Sequence, residues 1–68
     1  MRVLQSGSDR ATVELTMDDL LTFNNALNEV CNALDLAEFA TRMGVELSEA
    51  RALLRQVRDV LTSMATAP

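Results

Sequence analysis

Sixty-eight residues with a net charge of −4, no histidine, one cysteine and two aromatic side chains make a single small domain and remove several chemistries at once. Without histidine the chain lacks the commonest general base and the commonest metal ligand, and one cysteine cannot close an intramolecular disulfide. A domain of this size buries only about 60% of its unfolded surface, so oligomerisation, most simply a homodimer, is the expected source of extra stability.

The chain opens with MRVLQSGSDR, polar after its first few residues. That pattern is neither a signal peptide nor a membrane span, and the expected location is the cytoplasm with no membrane partner. Arg2 to Gln5 and Arg10 to Leu15 flank the polar run Ser6-Gly7-Ser8-Asp9, and Ala11, Val13 and Leu15 alternate with Arg10, Thr12 and Glu14. The spacing predicts a β-hairpin over residues 2–15. A two-stranded hairpin is marginal alone, so its apolar face is expected to sit on the helices as a lid or to pair with another copy of the chain.

Thr16 to Leu34 is the longest periodic stretch, with Leu20, Phe23, Leu27, Val30, Cys31 and Leu34 on one face of a helix over about 17–33. Thr16 is placed as its N-cap, with Asp18 and Asp19 at the positive end of the helix dipole and Asp19 in a capping-box position. Cys31 falls on the apolar stripe and reads as a small core residue. Beside the stripe Asn24, Asn28 and Asn32 recur every fourth residue, with Asn25 next to them and Met17 and Leu21 adjoining. Asparagine costs a helix roughly 0.5 to 0.7 kcal/mol against alanine, so four of them in one helix call for a reason. Either the amides tie elements of the fold together, or they form a recognition strip in which they supply direction and Leu21 and Met17 supply apolar area.

Asp35 with Glu38 repeats the helix-start signature, giving a short helix over 36–43 closed by Gly44 as a left-handed cap. Val45 and Leu47 bracket a turn, and Ser48 is placed as the N-cap of a last helix over about 49–62. That helix carries Ala50, Leu53, Leu54, Val57, Val60, Leu61 and Met64 on its apolar stripe and Arg51, Arg55 and Arg58 along one flank, with Asp59 four residues from Arg55 as its ion-pair partner. Residues 65–68 form a fraying tail beyond a domain of residues 1–64. The predicted class is α+β, mostly α: an N-terminal hairpin followed by three helices, the last two in a helix-turn-helix-like arrangement.

Charge is unevenly spread. Residues 14 to 49 hold eight carboxylates against Arg42 alone, whereas residues 50 to 68 hold Arg51, Arg55 and Arg58 against Asp59. An acidic body with a small basic stripe disfavours non-specific nucleic-acid binding and suits a protein partner with a basic or mixed-charge surface.

Two resemblances bear on the same residues. The segment LAEFATRMGVELSEARALL, residues 36–54, resembles a helix-turn-helix, which would place the second helix in a major groove with Ser48, Arg51 and Arg55 as contacts. Against that, Glu46 and Glu49 stand at the start of the presumed recognition helix and the chain has no lysine. The runs NNALNEVC from Asn24, EFATRMG from Glu38 and EARALL from Glu49 resemble a family of small, uncharacterised bacterial proteins. This second resemblance implies no activity. It does imply that Asn24, Asn25, Asn28, Glu29, Phe39 and Arg42 act together, with Glu29 and Arg42 as complementary charges between the first two helices.

No nucleophile–base set, glycine-rich phosphate loop or Cys/His metal spacing is present, so neither an enzyme nor a cofactor is expected. The sequence reads as a protein-binding module, an adaptor, inhibitor or immunity-type protein, with Leu21, Asn24, Asn25, Asn28, Glu29 and Asn32 as its contacts. A small helix-turn-helix regulator using Ser48, Arg51 and Arg55 is the alternative.

Overall fold

Alternation of apolar and polar residues around a polar turn gives the first element pair. The computed structural model describes residues 1–33 and 35–67 and opens with strand β1 (Arg2–Ser6) and strand β2 (Ala11–Glu14), paired antiparallel. Three helices follow, α1 (Met17–Ala33), α2 (Leu36–Met43) and α3 (Leu47–Ala65). The architecture is α+β and mostly helical, with α2 and α3 in succession through a short turn, in agreement with the sequence reading. Leu34, expected at the end of the first apolar stripe, lies outside the described residues.

The hairpin register pairs Arg2 with Glu14, Val3 with Val13, Gln5 with Thr12 and Ser6 with Ala11, with an irregularity between Val3 and Gln5. Leu4 is thus an extra residue that shifts the alternation by one step. The shift puts Val3 and Val13 on one face with Ser6 and Ala11, and Arg2, Gln5, Thr12 and Glu14 on the other. Arg2 and Glu14 meet on that polar face at 3.4 Å. The hairpin is not a lid: no residue of β1 or β2 brings its Cα within 8 Å of a helix, and every strand residue is exposed. The link between hairpin and helices is electrostatic, from the Met1 ammonium to Asp19 at 2.8 Å.

Helix α1 starts as its sequence dictates. The Asp19 backbone N–H donates to the Thr16 hydroxyl and the Thr16 N–H donates to the Asp19 carboxylate, both at 3.1 Å, a reciprocal capping box. Asp35 caps α2 by accepting from the Ala37 N–H at 3.3 Å. Gly44 ends it at φ 76°, its N–H donating to the Ala40 carbonyl at 2.9 Å. A β-carbon at that φ is disfavoured, which is why glycine stands there.

Helix α3 departs from expectation at both ends. It begins at Leu47, two residues earlier than the sequence suggests, with Glu46 rather than Ser48 at the N-cap and no side-chain capping bond. The Glu46 carbonyl accepts from the Glu49 and Ala50 N–H groups, and this early start turns Leu47 onto the core. Its other end runs past residue 62 to Ala65, where the Thr66 hydroxyl donates to the Ser63 carbonyl at 3.1 Å. Half-burial of Met64 gives the extra turn a packing reason.

The core is small: Cys31 of α1, Phe39 of α2 and Ala50 of α3, flanked by Val30, Met43 and Leu47. Phe39, 1% exposed, is the one side chain fully enclosed among the described residues. Leu20 and Leu54 are buried as well, and α1 packs along α3. Three residues assigned to the apolar stripes, Phe23, Leu53 and Val60, are exposed instead. A thin bundle has one inward side per helix, and a stripe that wraps further round is left facing out.

Candidate functional site

Helical periodicity places Asn28 and Asn32 one turn apart on α1, and Arg51, Arg55 and Arg58 at successive turns of α3. Packing of α1 along α3 brings the two rows together. They line a cleft of about 290 Å³ with Cys31 and Leu54 between them. Both of those residues are buried, so the cleft has an apolar floor under polar walls.

One hydrogen bond spans it. The Arg58 guanidinium donates to the Asn28 side-chain oxygen at 3.0 Å, and the Asn32 amide donates to the same oxygen at 3.3 Å. Asn28 thereby works as an acceptor, and among the described residues its own N–H₂ donates to no side chain. Among the described residues, none of the three arginines has a carboxylate within 4.0 Å; the ion pairs there are Met1–Asp19, Arg2–Glu14, Arg10–Asp9 and Arg42–Glu38. Three unneutralised guanidinium groups along one wall are a positive feature in a chain of charge −4.

Two expected ion pairs are corrected here. Among the described residues Arg55 forms no ion pair with Asp59 within 4.0 Å, although the two line one open depression on α3. Arg42 does not reach Glu29; it pairs at 3.4 Å with Glu38, four residues back on α2, where the helix sets the two side chains side by side. Glu29 is exposed and forms no ion pair among the described residues, and Phe39 belongs to the core. Of the six residues that the bacterial resemblance grouped, Asn24 bonds to Asn25, while Arg42 turns to Glu38 and Phe39 to the core.

The asparagine strip divides in two. Asn28 and Asn32 belong to the cleft, whereas Asn24 donates only to its neighbour Asn25 at 3.4 Å. The Asn24 side-chain oxygen is buried without a partner. Leu21 and Met17, further along the helix, are exposed. Ser48, Arg51 and Arg55, the alternative DNA contacts, are exposed as that reading requires, yet Glu46 and Glu49 are exposed at the same end of α3. Arg58 and the apolar floor were absent from both sets of expected contacts. The i, i+4, i+7 spacing of the three arginines was visible in the sequence; what it could not reveal was which helix would face them.

Among the described residues no three of Asp, Glu and Cys come together as a metal-holding group, and no helix is long and apolar enough to cross a membrane. No protein-family model, curated protein or solved structure matches this chain. The functional reading therefore rests on the cleft itself.

Proposed function

We propose that this protein is a non-enzymatic binding module that acts by stoichiometric contact with another protein, through the cleft between α1 and α3. The observation that carries the reading is the pairing of free guanidinium groups with directional amides over an apolar floor, the composition of a protein-recognition patch. Arginine suits this role because its planar fork binds carboxylates bidentately and its charge is weakly hydrated. The partner is a protein of mixed charge: its carboxylates meet Arg51, Arg55 and Arg58, and its cations meet the acidic remainder around Glu29. The adaptor, inhibitor or immunity-type role, the cytoplasmic setting and a homodimeric state belong to the same reading, and the buried free thiol of Cys31 suits a reducing compartment.

DNA binding through Ser48, Arg51 and Arg55 is supported less well. Two carboxylates at the N-terminal end of α3 would face phosphates, and two of the three contacts lie in the cleft against α1. A pull-down from native extract, with and without nuclease, separates the two. The expected result is a protein complex that survives nuclease and is lost in Arg51→Ala/Arg55→Ala and in Asn28→Ala, each with unchanged helical circular dichroism. A complex that disappears with nuclease, or one indifferent to all these substitutions, refutes the cleft reading.

A further inference from the structure

The chain exposes more surface than its mass requires. Its accessible area is 5337 Å². A compact monomer of 7.5 kDa exposes roughly 4,250 Å², an excess of about 1,100 Å² here. The radius of gyration is 13.6 Å, against about 11 Å for a compact domain of this length. Since a standard interface takes about 800 Å² from each partner, the excess amounts to one interface.

The hairpin contributes to that excess with every residue of both strands exposed. Neither strand brings a Cα within 8 Å of a helix, and Val3 and Val13, opposite one another on the hairpin's apolar face, are 58% and 37% exposed. Met1 and Leu4 are exposed beside them. A two-stranded ribbon with nothing under its apolar face is not stable in water on its own. The charge of the ribbon says what covers it. Residues 1–14 carry Arg2 and Arg10 against Asp9 and Glu14, a neutral surface on a chain of −4. Two copies can meet there without the repulsion their acidic helices would impose.

We propose that a second copy of this chain covers the hairpin, the Val3–Val13 face of one protomer packing on the same face of its partner in a twofold interface. The proposal rests on the homodimeric state proposed above and gives it an interface, but no residue of this interface lines the α1–α3 cleft, so either can fail without the other. Its consequence is that one assembly presents two clefts, and a partner with two matching sites is held by both at once.

Sedimentation equilibrium and thermal melts of the full chain over about a hundredfold dilution test it. The expected mass at high concentration is twice 7.5 kDa, with a melting temperature that falls on dilution. Val13→Lys is expected to reduce the mass to that of one chain at concentrations where Thr12→Lys, on the opposite face of the same strand, and Val60→Lys, on α3, remain dimeric. Should Val13→Lys lose its helical signal, Val13→Thr, which keeps a β-branched strand residue of similar shape and removes apolar area, reads the same face and is expected to weaken the dimer while Thr12→Lys leaves it intact. A wild-type mass of one chain throughout overturns the proposal. So does a Val13→Lys dimer as tight as wild type, or a dimer broken by Val60→Lys alone.

Discussion

The chain has two phenylalanines, and their fates differ enough to test the whole packing scheme. Phe39 is 1% exposed among Cys31, Ala50, Val30, Met43 and Leu47, whereas Phe23 is 41% exposed on α1. Truncating a fully buried phenylalanine to alanine costs about 3 to 5 kcal/mol, because a cavity is left as well as transfer energy lost. A domain of this length has roughly 3 to 10 kcal/mol of total stability, so Phe39→Ala removes much or all of it. Phe23→Ala leaves no enclosed cavity and loses only part of the side chain's transfer energy, about 1 to 1.5 kcal/mol. With no tryptophan or tyrosine in the chain, the assay is urea unfolding followed by far-ultraviolet circular dichroism. Phe39→Ala is expected to be largely unfolded without denaturant, or to have a midpoint far below that of Phe23→Ala. Equal midpoints for the two variants would refute the placement of Phe39 in the core with Cys31 and Ala50.

Three further outcomes follow from the helix ends. Gly44→Ala places a β-carbon at φ 76° and is expected to cost about 1 kcal/mol, read as a lower urea midpoint at unchanged slope. Glu46→Asp gives α3 the side-chain cap it lacks and is expected to add about 0.5 to 1 kcal/mol; no rise in midpoint would show that Glu46 is not the cap. The Asp19 carboxyl is held below its ordinary value of 3.8, chiefly by its hydrogen bond to the Met1 ammonium and then by the Thr16 N–H. A depressed carboxylate stabilises the fold above its unfolded value, and the contribution is lost as pH falls below 3.8 through the lower folded one. Melts against pH should therefore show an acid limb in that window for the wild type, flattened in Asp19→Asn; identical limbs would refute the assignment.

Much of this arrangement is local and so was legible in the residues. Thr16 with Asp19, Asp35 and Gly44 each set a helix boundary through bonds to their own neighbours, and the alternation of residues 11–15 set the hairpin. What the sequence misjudged was relational. Ser48 is a better intrinsic cap than Glu46, yet burying Leu47 at the core is worth more than a capping bond, so α3 starts early. Phe23, Leu53 and Val60 keep the helical period of their stripes, but period fixes a direction round one helix and not whether a neighbour stands there. The cleft shows the same division: the asparagine row and the arginine row were each visible, while their meeting depends on how α1 lies along α3.

The cost of the asparagines bears on what the cleft is for. Four of them cost α1 roughly 2 kcal/mol or more against alanine. In the folded chain they make amide contacts at 3.4 and 3.3 Å and accept one bond from Arg58, all exposed to water. Exposed bonds of this kind return a few tenths of a kcal/mol each, since water offers both partners the same bonds. The buried, unpartnered oxygen of Asn24 adds a further cost rather than a return. Folding therefore does not account for the strip. The side chains that enclose the core, Phe39 and its neighbours, form a largely separate set, with buried Cys31 and Leu54 shared as the floor of the cleft. Substitutions at Asn28, Asn32, Arg51, Arg55 or Arg58 can alter what the cleft binds without opening the core. That separation of contacts from core suits residues kept for a partner at the expense of the helix that carries them.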